Sequence, residues 1–489
     1  MFYSADALKL YLILGLSSGA AGGLIVLMIP RDRRRLRNII TFIFAASGAV
    51  FSWLTALSVF AGKGGRVGFA SGELEWSLHP DPPGAVFGLI ASTLWLFATV
   101  YSFGYMAEKG GQRVYYAFFL FSLSATVGVA FAGNLVTLYL FYELLTLATY
   151  PLVIHERTPE ASAAGTKYIM YNLSGAGAIL IAIIITYRYA GNPDFTGGPV
   201  LAGVSSPVLG WLLVMYIVGF GVKAAIMPLH RWLPAAMVAP TPVSALLHAV
   251  AVVYAGVFGV IRVVYSVFGR ELAGQLSISR VLPWVAAFTI LAGVIIALRQ
   301  DVLKRRLAYQ TVSHLSYILL GVFTLQPCGL AGAMMQMITY PFMKMTLFFC
   351  AGIIARQTGE TRISRMAGVG RKLPWTMAAF VAATLGMAGT LPMSTFWGKY
   401  YLMKGSVAGG MWPFALVLAV SGLINAACFI PVAVEAFRGD KTPSCKEKDG
   451  WTALMFAPTV VLVVISIVTG LVPGIVWPGV EAVTDWFFG

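Results

Sequence analysis

The chain has 489 residues, of which 58% are hydrophobic and only 11% are charged, and its mean hydropathy is +0.81. A soluble protein of this size carries about 25% charged residues, so the composition excludes an ordinary soluble enzyme. The formal net charge is +15, but no basic patch is interleaved with aromatic residues, and nucleic-acid binding is not expected.

Apolar runs of about 20 residues, the length that spans a bilayer, recur from one end of the chain to the other. We therefore expect an all-α, polytopic membrane protein with about fourteen transmembrane helices, which form a single transmembrane domain over residues 1–489. The expected spans are 8–29, 38–61, 84–105, 114–132, 135–154, 167–189, 208–227, 243–265, 281–298, 308–324, 329–355, 375–404, 412–437 and 452–476.

The basic residues indicate how the chain is oriented. No basic segment precedes the first span, whereas Arg31, Arg33 and Arg34 follow it, which is the reverse of a secretory signal. With the first loop placed inside, the loops on that side hold 23 of the 34 Lys and Arg residues. By the positive-inside rule we expect a bacterial or archaeal plasma membrane protein, with its first inter-helix loop cytoplasmic and both termini outside.

Several chemistries are not indicated. Cys328, Cys350, Cys428 and Cys445 are far apart, so neither an iron–sulfur cluster nor a zinc site is expected. The sequence contains no P-loop and no convincing dinucleotide fingerprint. We therefore expect no catalytic residues, no cofactor and no metal site in this chain, and energy has to come from an ion gradient or from partner subunits.

Four charged residues fall inside predicted spans, namely Glu143, Lys223, Lys344 and Lys399. A charge at the bilayer centre costs about 2.5–3.5 kcal/mol even on a lenient scale, and such residues usually mark ion pathways. Snorkelling to an interface and buried helix–helix pairs are the structural alternatives. A buried lysine changes its protonation state as its neighbours change, so a Glu143–Lys223 pair is our hypothesis for a proton switch.

Two of these lysines lie beside prolines. Pro228 and Pro234 follow Lys223, whereas Pro392 precedes Lys399. Broken helices at membrane depth survive only where they line a cavity or are packed in protein, and a matched pair of them is typical of an inverted repeat. Two ordinary proline kinks are the alternative.

Polar residues at helical spacing connect the lysines in the sequence. His248 lies in the eighth span and His314 in the tenth, where we expect it near the cytoplasmic end. Gln336, Tyr340 and Lys344 share one face of the eleventh span, four residues apart. Histidine titrates near neutral pH and suits a proton relay, although each histidine is equally compatible with a packing role.

Two motifs then resemble a known family. Residues 220–248 read FGVKAAIMPLHRWLPAAMVAPTPVSALLH, and residues 303–317 read LKRRLAYQTVSHLSY. Both are similar to the antiporter-like subunits shared by respiratory complex I, multisubunit Mrp-type cation/proton antiporters and membrane-bound hydrogenases. The resemblance covers nearly the whole chain, and the lack of a lateral helix after the fourteenth span favours the shorter, D-type members.

This resemblance implies fourteen helices with two inverted five-helix repeats, helices 4–8 at about 114–265 and helices 9–13 at about 281–437. It also implies that helices 7 and 12 are broken. Proton translocation is then assigned to five residues that match family positions, which are Glu143, Lys223, His248, Lys344 and Lys399.

The sequence also departs from the family. Tyr254 stands where many members have a lysine, and Gln336 and Tyr340 stand where some have histidines. Ala235 replaces an aspartate that many members carry after Trp-Leu-Pro. The first two departures leave the relay between Lys223 and Lys344 open, with His314, Gln336, Tyr340 and Tyr254 as candidates, whereas Ala235 concerns coupling at the cytoplasmic rim.

The resemblance implies an ion-translocating subunit of a larger membrane complex, either a redox-driven complex or an Mrp-type antiporter. The expected partners are other membrane subunits, including further antiporter-like ones and a redox arm in the redox-driven case, together with the lipid bilayer and H⁺, with Na⁺ left open. A stand-alone secondary transporter for a small solute and a scaffold with an inactive path are the alternatives.

Overall fold

The computed structural model describes residues 5–71, 74–438 and 450–489, so that Cys445 lies outside the described residues. Their α-helices are α1 (Ala5–Met28), α2 (Arg34–Phe60), α3 (Pro82–Tyr105), α4 (Gln112–Ala130), α5 (Leu135–Val153), α6 (Pro159–Ala190), α7 (Leu209–Lys223), α8 (Trp232–Ala235), α9 (Thr241–Ala249), α10 (Val252–Ile261), α11 (Gly269–Gln275), α12 (Leu282–Leu298), α13 (Leu303–Phe323), α14 (Pro327–Thr358), α15 (Val369–Lys372), α16 (Pro374–Ala388), α17 (Thr395–Ala408), α18 (Trp412–Phe437), α19 (Gly450–Leu471) and α20 (Trp477–Phe488). Two strands, β1 (Val67–Ser71) and β2 (Leu74–Leu78), pair antiparallel between α2 and α3.

The predicted all-α membrane architecture is confirmed. Eleven helical segments of the described residues are long and apolar enough to cross a membrane. The remaining predicted spans correspond to α13 and to two helices that are interrupted, which begin with the shorter apolar helices α7 and α16. The count of fourteen crossings and the inverted repeats stay predictions.

Three features differ from the sequence prediction. The β1–β2 hairpin was not expected, and α6 begins eight residues early, where the Thr158 hydroxyl accepts the Ala161 N–H at 3.1 Å and Pro159 occupies the first turn. The last predicted span ends at Leu471 and is followed by the separate helix α20. Pro473 fixes the backbone at that point and cannot continue the hydrogen-bond ladder.

Helix α14 is the centre of the fold. Almost every side chain from Gly329 to Ile354 is buried, and the helix packs against α3, α9, α13, α16, α17 and α19. A helix that is apolar on all faces is stable only when protein surrounds it. This position explains why α14 keeps its course through Pro341, and it places Lys344 deep inside the bundle.

An ion pair ties the hairpin side of the bundle together. The Asp81 carboxylate caps the first turn of α3 and receives two hydrogen bonds from Arg262, at 2.5 and 2.6 Å. Both side chains are essentially inaccessible to solvent. Arg262 lies in the π-helical segment Arg262–Phe268, so α10 and α3 are joined by a buried bidentate pair.

Nearby, Asp194 in the loop after α6 accepts a hydrogen bond from Ser77 at 2.6 Å and pairs with Arg66 at 2.9 Å. Burial alone would raise the pKa of Asp194, but hydrogen bonds from His79 and Ser77 and the Arg66 charge lower it overall. This cluster joins the hairpin to the loop after α6.

Candidate functional site

The first predicted helix break lies directly after Lys223. Helix α7 ends at this residue, Ala225 has a φ of +56°, and the Ile226 N–H reaches back to the Gly221 carbonyl at 2.9 Å. The Trp232 indole N–H donates to the Val222 carbonyl at 2.7 Å and so satisfies one acceptor at the broken end. Pro228 lies within the break, whereas Pro234 lies in the short helix α8.

The Lys223 amine is held by a neighbouring helix rather than by a carboxylate. It is fully buried, donates to the Tyr142 carbonyl of α5 at 2.5 Å and lies 3.3 Å from the centroid of the Tyr142 ring. Glu143 is the next residue of α5 and is half-buried, with Oε1 lacking a hydrogen-bond partner. The two side chains interact electrostatically, but no ion pair within 4 Å joins these two described residues. The expected direct Glu143–Lys223 pair is therefore not formed in this conformation.

A further break, which the sequence did not reveal, lies in the predicted eighth span. Helix α9 ends at Ala249 and α10 begins at Val252, with Val250 and Ala251 in non-helical conformations. Helix α10 then passes so close to the end of α7 that a Cβ at Gly256 would meet backbone atoms of Lys223 and Ala224. Only glycine permits this approach, and the contact places α10 beside the end of α7 at Lys223.

His248 is buried in the last turn of α9. Its Nδ1 lies 3.0 Å from the Thr311 hydroxyl of α13, its ring lies 5.1 Å from the Phe348 ring, and its Nε2 has no hydrogen-bond partner. The Thr311 hydroxyl donates to the Leu307 carbonyl at 3.1 Å. The hydroxyl oxygen is then the acceptor for the His248 Nδ1–H, which leaves Nε2 as the basic nitrogen.

Lys344 meets the same carbonyl group from the other side. Its buried amine donates to the Leu307 carbonyl at 2.5 Å, so that this carbonyl oxygen accepts from both Thr311 and Lys344. A continuous chain of contacts thus runs from His248 through Thr311 and Leu307 to Lys344. Sequence reasoning missed Thr311, although it lies one helical turn after Leu307 and three residues before His314.

Aromatic and amide side chains fill the space next to Lys344. The His314 ring stacks on the Tyr340 ring at 4.6 Å and lies 4.7 Å from the Tyr317 ring. The amide of Gln336 and the hydroxyl of Tyr254 are buried without hydrogen-bond partners. The placement of His314 near the end of its span is wrong, because α13 begins at Leu303 and His314 is buried in its middle.

The second predicted break separates α16 from α17. Helix α16 ends at Ala388, Gly389 has a φ of +83°, and Pro392 lies within the break. Lys399 lies on α17 and is 7% exposed, and its amine reaches back to the Met387 and Ala388 carbonyls at 2.9 and 2.7 Å. These are terminal acceptors of α16, so the lysine satisfies the broken helix end.

A polar cluster connects the Lys399 region with α13. The Lys399 amine lies 5.5 Å from the centroid of the Tyr317 ring. The Tyr317 hydroxyl is 2.6 Å from the Ser421 hydroxyl and accepts from Asn425 at 3.4 Å, and Asn425 in turn accepts from Gln310 at 3.0 Å. The structure therefore brings His248, Lys344, His314 and Lys399 along α13, whereas Lys223 faces α5. A buried row of ionisable groups with a broken helix at each end is typical of membrane subunits that move protons or cations.

Comparison with known proteins agrees with this class. A family profile described as "NADH:quinone oxidoreductase/Mrp antiporter, TM" matches residues 132–425, and the chain belongs to this family. It is 34% identical over 400 residues to NADH-quinone oxidoreductase subunit N of Desulforudis audaxviator, covering 80% of this chain and 78% of that protein. It is 25% identical over 454 residues to a subunit of the Na(+)/H(+) antiporter of Bacillus subtilis, covering 91% of each chain.

A solved structure shows the same fold. A chain in the structure of the Mrp complex from Dietzia sp. DQ12-45-1b superposes with a TM-score of 0.87 at 19% identity, covering 99% of this chain and 97% of that one. The chain is thus an antiporter-like membrane subunit of the family that includes complex I and Mrp antiporter subunits.

Proposed function

We propose that this chain carries protons across the membrane as one subunit of a multisubunit complex. Lys223 is loaded from the cytoplasm under the control of Glu143, His248 passes the proton toward Lys344, and Lys399 releases it on the opposite side. The chain has the α1–α2 loop in the cytoplasm and both termini outside, in a bacterial or archaeal plasma membrane. It supplies no redox chemistry itself.

One observation carries the proposal, namely the His248–Thr311–Leu307–Lys344 contact chain. The Thr311 hydroxyl has one proton and lies between a carbonyl that accepts only and an imidazole nitrogen that either donates or accepts. Rotation of this hydroxyl changes which His248 nitrogen holds the proton. Because Lys344 shares the carbonyl, its charge biases the direction in which Thr311 points, and the protonation states of His248 and Lys344 become linked.

The Glu143 Oε1 atom lacks a hydrogen-bond partner, and this supports a partner-driven mechanism. Leu140, Leu144 and Leu147 on the same helix are exposed, so α5 presents an apolar face with one half-buried carboxylate on it. A carboxylate at membrane depth is costly in contact with lipid. A neighbouring membrane subunit that contacts α5 at Leu140 and Glu143 supplies a partner for the Glu143 Oε1 atom and couples its own movements to Lys223. The partner subunits decide whether Na⁺ moves as well. They also decide whether the complex is driven by a redox arm or works as an Mrp-type assembly.

The test uses membrane vesicles that hold the complete complex, energised by the reaction of that complex. In Lys344→Met, proton transport followed by quenching of an acidity-sensitive acridine dye is expected to fall about tenfold, equivalent to roughly 1.4 kcal/mol of barrier. Lys404→Met is the matched control, because Lys404 is exposed at the end of α17 and carries the same side-chain change. Native gels check that both variants assemble to the same level.

Full dye quenching in assembled Lys344→Met would overturn the proposed path. Mass spectrometry of everything that co-purifies in mild detergent identifies the partners. Recovery of the chain alone, with solute transport by the lone chain, would instead establish the stand-alone secondary transporter.

A further inference from the structure

A large basic cavity lies away from the lysine row, where the α1–α2, α3–α4 and α5–α6 loops meet. Its volume is about 760 Å³. Six cationic side chains line it, whereas its one carboxylate, Glu156, is paired with Lys109 at 2.5 Å. The cationic residues are Arg31, Arg34, Arg37, Lys109, Arg113 and Arg157. Such an excess of positive charge in one concave site attracts an anion.

Two guanidinium groups that line this cavity are held in place although some of their nitrogens have no hydrogen-bond partner. Arg34 stacks on the Trp451 ring at 4.2 Å, yet its Nε and Nη2 are buried without partners. Arg37 is 4% exposed and donates to Gln112, but its Nε also lacks a partner. Buried polar groups are usually satisfied, so Arg34 and Arg37 retain unused donor capacity at the edge of the cavity, which suits a ligand with several acceptor oxygens.

The loop that supplies Arg157 is held in an unfavourable conformation. Arg157 has a φ of +53°, in the left-handed region that residues with a side chain rarely adopt. Its N–H is bonded to the Ile154 carbonyl at 3.0 Å. Backbone strain of this kind persists where the surrounding structure fixes a side chain for binding.

A separate apolar groove lies beside the cavity along α4 and α5. Val114, Pro151 and Ile154 line the cavity. One helical turn further along the same two helices, Phe118 and Leu147 line a separate groove of about 310 Å³, together with Phe121, Phe141 and Leu144. The spacing of three to four residues places these side chains in one row along each helix, which extends about 10 Å from Val114 to Phe121 at about 1.5 Å per residue.

We propose that this site binds an anionic phospholipid, with its phosphate in the arginine cavity and one acyl chain in the α4–α5 groove. The combination of charge and groove distinguishes this ligand from a free phosphate, which needs only the cavity. The lipid lies in the leaflet on the side of the α1–α2 loop and holds α2 and α4 against α5, the helix that carries Glu143.

The test is a titration of the purified full chain in a nonionic detergent with dioleoyl phosphatidylglycerol, monitored by the midpoint of thermal unfolding. Dioleoyl phosphatidylcholine and inorganic phosphate form the two parallel arms. The anionic lipid is expected to raise the midpoint, whereas the other two probes leave it within error. Each cationic contact contributes about fivefold to lipid affinity, so the Arg113→Gln/Arg157→Gln double variant is expected to need about 25-fold more lipid.

Arg305→Gln is the matched control, because Arg305 is exposed in a basic stretch on the same side of the protein and lies outside the cavity. If the double variant unfolds early without lipid, the exposed Arg31→Gln variant replaces it, with an expected fivefold loss. Equal stabilisation by phosphatidylcholine, or an unchanged titration of the cavity variants, would overturn the proposal. Full stabilisation by inorganic phosphate alone would identify a phosphate site and refute the lipid one.

Discussion

The two broken helices hold their lysines in different ways. Lys223 ends its own half-helix, and its amine crosses to the Tyr142 carbonyl and ring of α5, next to the half-buried Glu143. Lys399 lies on the second half of its broken helix and turns back to the Met387 and Ala388 carbonyls of the first half. Within the described part of the chain neither amine has a carboxylate within 4 Å, but the Glu143 charge acts on Lys223 through space.

This difference shows how similar sequence features serve different ends of a path. The environment of Lys223 depends on a carboxylate of another helix, which a neighbouring subunit is able to move or cover. The environment of Lys399 is made of backbone carbonyls within its own broken helix, and it changes only when that break rearranges. The first lysine is therefore suited to respond to a partner, and the second to hold or release a proton according to local geometry.

The largest expected effect separates charge from proton exchange at Lys399. Lys399→Arg keeps a cation that donates to the α16 carbonyls, but arginine does not give up its proton. We expect the stability of the variant to be retained and proton transport to fall about a hundredfold, the lower range for loss of an acid–base group. Dye quenching in energised vesicles measures transport, and thermal unfolding in detergent measures stability.

Lys399→Met provides the contrast for this measurement. It removes the donor as well as the charge, so the Met387 and Ala388 carbonyls lose their partner and stability is expected to fall by about 1–3 kcal/mol. Normal transport in Lys399→Arg would show that Lys399 is only a structural cap of α16.

The next effect tests the dependence of Lys223 on Glu143. Glu143→Gln preserves size but removes the charge that acts on Lys223 through space. Transport is expected to fall about tenfold, equivalent to roughly 1.4 kcal/mol of barrier, while Glu143→Asp retains part of the activity. The same dye assay measures both variants, with assembly checked on native gels. If glutamine is tolerated as well as aspartate, the two broken helices do not differ in the way proposed.

A smaller effect is expected between the two lysines, at Thr311. Thr311→Val keeps the shape but removes the hydroxyl that joins His248 to the Leu307 carbonyl. Loss of one hydrogen bond of about 1 kcal/mol corresponds to roughly fivefold slower transport, and Thr311→Ser restores it. Thr339→Val is the control, because the buried Thr339 hydroxyl donates to the Met335 carbonyl of its own helix. Equal effects of the two valine variants would remove Thr311 from the relay.

Much of this arrangement followed from the sequence. Apolar runs predicted most helices within a few residues, because each span must be long enough to cross the bilayer and must satisfy its own backbone. The prolines beside Lys223 and Lys399 predicted both breaks, since proline removes a ladder hydrogen bond. Helical spacing also predicted correctly that Gln336, Tyr340 and Lys344 share a buried face of α14.

The rest depends on contacts between distant segments, which periodicity does not encode. The break at Val250 has no proline, and the close approach of α10 to α7 follows it at Gly256. Thr311 resembles any buried threonine until His248 and Lys344 are placed on either side of it. The Asp81–Arg262 pair joins residues 181 positions apart, and neither residue carries a local signal of its partner.

The smallest expected effect concerns Asp194, which joins the loop after α6 to the β1–β2 hairpin. Its pKa is lowered, so its contribution to stability is present above the ordinary aspartate pKa of about 3.9 and is lost as the pH falls through the lower folded value. Asp194→Asn removes this contribution, and unfolding midpoints at pH 7 and pH 3 should therefore differ less in the variant than in the parent. Because Arg66 is 42% exposed, solvent screens the Asp194–Arg66 pair, and we expect a change in stability of no more than about 0.5 kcal/mol.

Transport should not change in this variant, since the cluster lies outside the lysine row. A transport defect in an otherwise stable Asp194→Asn variant would instead show that the hairpin cluster acts on the lysine row.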